Sequence, residues 1–280
     1  MEIRAEDVKN LREKTGAGMM DCKKALTQAN GDFAQAEKLL KEQGLAAAAK
    51  RSGRATNEGR VFARVEAGRA AILELSCETD FVARNADFIK LGGELVGLVA
   101  KGTKPDAPQL AEKVTGLIAT IKENMTLRRA AVLEYGPGST VVDYIHGEGR
   151  IGVLVKASAD KPEALKNEAV KAFVFNCALH IAAYNPMFLA EKDANPAYMK
   201  EQEEIFTKQT AGLDKPANVI QGIVKGKIKK LMSEICFMEQ AFVKDDKKSV
   251  KQVLAETGKQ AGANISIDSF IYYRLGEELA

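Results

Sequence analysis

Two acids, Glu78 and Asp80, stand two residues apart in the stretch Cys77-Glu78-Thr79-Asp80-Phe81-Val82-Ala83. Paired carboxylates can divide general-acid and general-base work when an apolar pocket raises the pKa of one of them. In an exposed loop they lack that pocket, which argues against acid–base catalysis here. The chain has only two histidines, His146 and His180. His146 falls at a hairpin tip. His180 lies on an apolar helix face running from Phe173 to Ile181 and reads as a satisfied core histidine. The four cysteines, Cys22, Cys77, Cys177 and Cys236, are far apart and form no Cys-x-x-Cys pair. This spacing suggests neither a zinc site nor a disulfide frame, so no metal is expected. Neither a Gly-x-Ser-x-Gly elbow nor a Gly-x-x-x-x-Gly-Lys-Ser/Thr loop occurs, and Thr15-Gly16-Ala17-Gly18 sits in a helix–helix turn. No cofactor is expected. The chain reads as a protein-binding module rather than an enzyme.

The acid pair is more informative as part of its surroundings. Residues 70–76 have the apolar body of a strand in Ile72, Leu73 and Leu75. Residues 86–100 carry Phe88, Leu91, Leu95 and Leu98 at helical spacing. A joint between such elements should be polar, yet this one holds Phe81 and Val82 beside Asp80. Two readings follow. Phe81 folds back under the helix as core, because an aromatic is costly to leave in water. Alternatively, the loop presents Asp80 and Phe81 to a partner, since rigid scaffolds carry function on their loops.

The bulk properties narrow the class. A chain of 280 residues has room for two or three domains. It is 46% hydrophobic and 28% charged, an ordinary balance for a globular protein. Lys and Arg number 41 against 38 acids, too even to argue for a nucleic-acid or membrane surface by charge. The charged start, Met1 to Asp7, has no apolar signal region, and no apolar run would span a bilayer. Together with isolated cysteines, this points to reduced thiols and a cytoplasmic location.

In chain order, residues 1–50 read as a small three-helix bundle. Its helices cover 5–14, 19–29 and a third capped by Asp32, with Gln35 placed for a capping box. Met19 and Met20 are adjacent, so both cannot face inward together. Either one is core and the other partly exposed, or the pair forms an adaptable contact surface. Residues 45–60 read as a linker, with 51–60 wholly outside the bundle, made basic by Lys50, Arg51, Arg54 and Arg60. These cations suggest the alternative function, an RNA- or ribosome-binding protein using residues 50–60. Residues 61–138 form a first core subdomain: a hairpin about Ala67-Gly68-Arg69, two helices and a return strand over 126–135. Residues 139–280 repeat that order, with strands about the His146–Arg150 turn, a long helix over 163–183 and a return strand over 265–275. Inserted at 186–235 is an antiparallel helical hairpin, divided at Gly212 and Asp214. Its apolar seam is Ile220, Ile223, Val224, Ile228, Leu231 and Ile235. So little burial within the arm suggests packing on the body or self-association. The fold class is α+β, with two antiparallel-sheet-plus-helix subdomains and the bundle and hairpin as additions.

Several blocks resemble bacterial elongation factor Ts. The first is Leu11-Arg12-Glu13-Lys14-Thr15-Gly16-Ala17-Gly18-Met19-Met20-Asp21-Cys22-Lys23-Lys24-Ala25-Leu26, and the second is Glu78-Thr79-Asp80-Phe81-Val82-Ala83. His146-Gly147, Arg150-Ile151-Gly152-Val153-Leu154-Val155 and His180-Ile181-Ala182-Ala183 follow in order along nearly the whole chain. There are departures. Gln240-Ala241-Phe242-Val243 has Ala241 where the family often has proline, 173–177 is bulky, and the chain stops at Ala280 without the further helix of some members. The resemblance implies a UBA-like N-terminal bundle, a duplicated core and a protruding hairpin. It implies a nucleotide exchange factor without covalent chemistry, acting on elongation factor Tu and needing no nucleic acid or membrane. By the same resemblance, Thr79, Asp80, Phe81 and Val82 form the loop that dislodges the magnesium ion of the partner GTPase. Met19, Met20 and Lys23 would grip its nucleotide-binding domain, and His146 another of its domains.

Overall fold

The computed structural model describes residues 3–213 and 216–279; the expected break at Asp214 lies outside them. The chain divides into two units. The first comprises Met1–Val132, Ile145–Gly152 and Tyr273–Ala280, and the second Leu133–Tyr144 and Val153–Tyr272.

The first unit opens with three helices, α1 (Ala5–Thr15), α2 (Met19–Gln28) and α3 (Phe33–Arg51). Gly16 ends α1 in the left-handed region at φ 69°, donating its N–H to the Arg12 carbonyl. Asp32 caps α3 by accepting the Gln35 N–H at 3.0 Å. Val8, Leu11, Cys22, Ala25, Leu26, Ala29 and Ala36 form the small core, with Phe33, Leu39 and Leu40 packed against it.

Helix α3 reaches the end of the bundle expected at about residue 50, but takes in the first residues of the stretch 45–60 that reads as linker. The supposed linker from Leu45 therefore starts as helix and continues to Arg51, and the next strand begins at Glu58. The cause is tertiary. Gly44 lies so close to another helix that a Cβ there would stand 2.6 Å from the Ala119 Cβ, and Ala48 is buried in the unit's main core. Glycine is a poor helix former, yet its missing Cβ here permits close helix packing.

Strands β1 (Glu58–Glu66) and β2 (Arg69–Cys77) form the expected antiparallel hairpin, with Glu58 opposite Cys77 and Glu66 opposite Arg69. A single turn, α4 (Asp80–Ala83), leads to α5 (Ala86–Ala100) and α6 (Pro108–Ile121). The return strand β3 (Met125–Glu134) completes a sheet of order β1-β2-β3. Leu73, Leu75, Phe88, Leu95, Val99, Leu110 and Ile118 are among the buried residues between sheet and helices. At Gly92 of α5 the Phe62 ring occupies the space of any Cβ.

A charge network closes this unit. Glu74 is fully buried on β2. It accepts hydrogen bonds from Arg128 at 3.0 Å, Arg129 at 2.7 Å and the Gly276 N–H at 2.9 Å. Arg129 also donates to the Arg274 carbonyl and to Glu277, and its guanidinium lies 4.0 Å over the Tyr273 ring.

The second unit repeats the plan with β4 (Ser139–His146), β5 (Ile151–Ala159) and, much later, β8 (Ile265–Arg274), ordered β4-β5-β8. Between them lie α7 (Glu168–Tyr184), the hairpin α8 (Pro196–Thr210) and α9 (Ala217–Ile235), the short pair β6 (Ala241–Phe242) and β7 (Asp245–Ser249), and α10 (Val250–Ala261). The class is thus α+β with small antiparallel sheets. In the hairpin seam only Val224 is buried among the six residues expected there, joined by Met232; the others stay partly exposed. Pro196 occupies the first turn of α8, whereas Pro216 precedes α9 as its N-cap. No helix among the described residues is long and apolar enough to cross a membrane.

His180 is the core histidine that its apolar surroundings suggested. It is fully buried, stacked on Phe242 and edge-on to Phe237. Its Nδ1 accepts the Val243 N–H at 3.2 Å, so the proton sits on Nε2, which donates to the Gln240 Oε1 at 2.9 Å. Gln240 in turn donates to the Glu234 carbonyl. Ala241, at the position of the family proline, is exposed and pairs with Ser249.

Two predictions follow from this packing. Burial holds the His180 pKa below its ordinary value near 6.5, outweighing the upward pull of Gln240. Above that value both folded and unfolded states carry a neutral ring. As pH falls through it, the unfolded chain gains a proton that the folded one resists, so stability falls until the folded ring titrates. Between about pH 7.5 and about 5.5, the urea midpoint of the wild type should drop more than that of His180→Gln. Equal drops would remove His180 from the pH dependence. All four cysteines are buried, and burial pushes the Cys77 thiol up to about 12. A chromogenic disulfide reagent at mildly alkaline pH should therefore find no thiol in the native protein and four after denaturation.

Candidate functional site

The stretch from Glu78 to Ala83 is built differently from a plain loop. Strand β2 ends at Cys77, and Thr79 becomes the N-cap of the single turn α4, its hydroxyl accepting the Val82 N–H at 3.4 Å. One helical turn has too few internal hydrogen bonds to hold itself, so its neighbours must hold it. At its start, the Glu123 carboxylate accepts the Thr79 N–H at 3.1 Å and the Thr79 hydroxyl at 2.9 Å. Glu78 makes the reverse contact, accepting the Asn124 N–H at 2.6 Å. The Cys77 thiol, kept protonated by burial, donates to the Thr79 carbonyl at 3.2 Å. At the far end, Arg60 donates to the Ala83 carbonyl at 2.6 Å and approaches Glu148 at 3.6 Å.

This frame decides where the side chains of the loop go. Val82 and Ala83 are buried in the core of the first unit. Successive residues of a helix point about 100° apart, so with these two inward Phe81 must turn outward. It is 80% exposed, and the reading of Phe81 as core does not hold. Asp80 is half-exposed and pairs with Arg84 at 3.4 Å, one turn on. Val82, expected among the presented residues, contributes to the core instead.

The acids do not form a catalytic pair. Glu78 is engaged with Asn124 and with Arg54 at 3.3 Å, while Asp80 faces Arg84. Among the described residues no group of histidine, cysteine or acid side chains could hold a metal ion. Gly147-Glu148-Gly149-Arg150-Ile151-Gly152 has the Gly-x-Gly-x-x-Gly spacing of a dinucleotide loop, but it turns between two strands, β4 and β5, with no helix after it to receive a phosphate.

Met19 and Met20 open α2 and are 43% and 64% exposed. Neither is core, because Cys22, Ala25 and Leu26 already fill the inner face. Lys23 is exposed one turn further along the same helix. His146 ends β4, exposed, just before the turn 147–149. Residues Ile145–Gly152 belong to the first unit, the one that carries Phe81, although their place in sequence suggested the second subdomain.

The basic stretch 50–60 is largely engaged within the fold. Arg51 donates to the Ala47 carbonyl, Arg54 to Glu78 and Arg60 to Ala83. The Arg54 carbonyl itself accepts from Asn124 at 2.8 Å. Glu123 and Asn124, which hold the loop, went unnoticed in the sequence. They follow α6 in an ordinary polar turn, and no local pattern points from them to Thr79, 44 residues away for Glu123.

Comparison with known proteins places the chain in a family. The family model described as Elongation factor TS matches residues 78–277. Elongation factor Ts of Treponema denticola is 48% identical over 277 residues, covering 99% of each chain. Those of Treponema pallidum and Borrelia hermsii are each 43% identical, over 288 and 278 residues, with at least 99% of each chain covered. With identities of this order along the full length, the chain belongs to the elongation factor Ts family.

Proposed function

We propose that this translation elongation factor binds elongation factor Tu in its GDP form, displaces the magnesium ion and promotes GDP release so that GTP can bind. The observation that carries the reading is Phe81, 80% exposed at the centre of a turn whose neighbours are fixed. An apolar ring held in water on a rigid support is suited to insertion in a partner. Magnesium bridges nucleotide phosphates and tolerates little departure from its geometry. A ring wedged beside it, with Asp80 next in line, needs only to shift the partner's elements by about an ångström to weaken its hold. By linkage, a protein that binds the nucleotide-free state best must lower nucleotide affinity by the same factor.

Met19, Met20 and Lys23 supply a second contact, an adaptable apolar surface with a cation beside it. His146 supplies a third. No covalent step is involved. The whole effect lies in which state of the GTPase is bound more tightly.

Release of a fluorescent GDP from elongation factor Tu, with and without this protein, tests the reading directly. An unchanged rate at saturating protein would overturn it. Phe81→Ala is expected to slow release by roughly ten- to a hundredfold, since filling a pocket with a Phe side chain contributes about 1.5–3 kcal/mol. Its urea midpoint should stay near that of the wild type, because the ring is outside the core. A lower midpoint with an unchanged release rate would instead make the ring structural. Met20→Asp places a charge in an apolar contact. It should raise the concentration needed for half-maximal release and leave the rate at saturation much less affected. A rate that stays low at saturation would mean that the bundle takes part in opening the GTPase.

A further inference from the structure

The exchange reading assigns the contact to Phe81 and its neighbours but leaves open what keeps a four-residue turn in shape. Two acids distant in sequence, Glu78 and Glu123, each hold the residue next to the other. Glu78 holds the backbone of Asn124 at 2.6 Å, and Glu123 holds the backbone and hydroxyl of Thr79 at 3.1 and 2.9 Å. Asn124 also donates to the Ser52 and Arg54 carbonyls, and Arg54 returns to Glu78. The chain just after α3, the end of β2 and the turn after α6 are thus tied at one point. Thr79 is the member that passes this on. Its hydroxyl donates to Glu123 and accepts from Val82, and its carbonyl accepts the Ala83 N–H at 3.1 Å. Hydrogen bonds to an ionised carboxylate are stronger than neutral ones, and Glu123 makes them to both polar groups of one residue.

We infer that Glu123 is a positioning residue for exchange: acting through Thr79, it holds the turn Asp80–Ala83 in the shape that presents Phe81 before the partner arrives. Ordering a loop on binding costs free energy that an ordered loop has already lost. Removing the brace should therefore lower the fraction of complexes in which the ring is inserted, while docking through other surfaces persists. The inference rests on the exchange reading for its effect on rate, but the brace itself can be measured without it.

Two experiments on the full-length chain test it. In the free protein, amide hydrogen exchange at Val82, Ala83, Arg84 and Asn85 should become about tenfold faster or more in Glu123→Ala, the scale of one lost charge-assisted hydrogen bond, while α5 exchanges as before. Unchanged exchange at these amides would overturn the brace whatever the protein does to GDP. In the release assay, Glu123→Ala should lower the maximal rate by about tenfold with little change in the half-saturating concentration. Glu123→Gln should fall between, since one acceptor oxygen remains, and Thr79→Ser should retain more of the rate than Thr79→Val. The decisive measurement is the double variant. If Glu123 acts by placing Phe81, then adding Glu123→Ala to Phe81→Ala should slow release by less than about twofold. A full tenfold further loss would show that Glu123 supports the fold at large, and the positioning role would be wrong. A wild type that leaves GDP release unchanged would sink the exchange reading and leave the hydrogen-exchange result to decide the brace alone.

Discussion

One turn of helix does not form by itself in water, because too few hydrogen bonds offset the loss of backbone freedom. The turn Asp80–Ala83 exists because both its ends are held from outside, by Glu123 at Thr79 and by Arg60 at Ala83. Its inner side is fixed by burying Val82 and Ala83. These constraints leave one direction for Phe81. The exposure of that ring, which would be a cost in a free loop, follows from the burial of the two residues after it.

Three acids of the first unit are committed to hydrogen bonds within the fold. Glu74, Glu78 and Glu123 each accept backbone or guanidinium hydrogen bonds from residues remote in sequence. Glu74 is the extreme case, fully buried and met by two arginines and a backbone N–H. Breaking such a group away from its partners costs about 3–5 kcal/mol, because an uncompensated charge remains inside. A catalytic acid must instead keep a free oxygen toward a substrate. The network also accounts for cations that looked available for a polyanion. Arg51, Arg54 and Arg60 are donors to the fold's own carbonyls and carboxylates.

The two units show the same plan put to different uses. In the first, the joint between hairpin and helix carries an exposed phenylalanine on a braced turn. In the second, the core closes over a neutral histidine whose two ring nitrogens are both satisfied, and the insertion extends as two helices with a half-covered seam. A shared hairpin–helix–strand order is therefore a scaffold, and function depends on what each copy places at its joints.

What the sequence determined by itself were features of short range. Periodicity placed most of the helices and the hairpins, though α10 went unread and α7 begins at Glu168 rather than at 163; Asp32 announced the cap of α3, and the long matched blocks carried the family. The scattered cysteines and two histidines left no catalytic or metal pattern to pursue. Tertiary structure decided the rest, because the deciding contacts join residues that are distant along the chain. Residues from Leu45, which read as linker, are helix because Gly44 meets Ala119 and Ala48 enters the core. Met19 and Met20 both stay outside because Cys22, Ala25 and Leu26 occupy the inner face first. Phe81 and Val82, adjacent and both apolar, could not be told apart by type. The burial of Val82 and the hold of Glu123 on Thr79 sent one inward and the other out, and no local pattern encodes a contact 44 residues long.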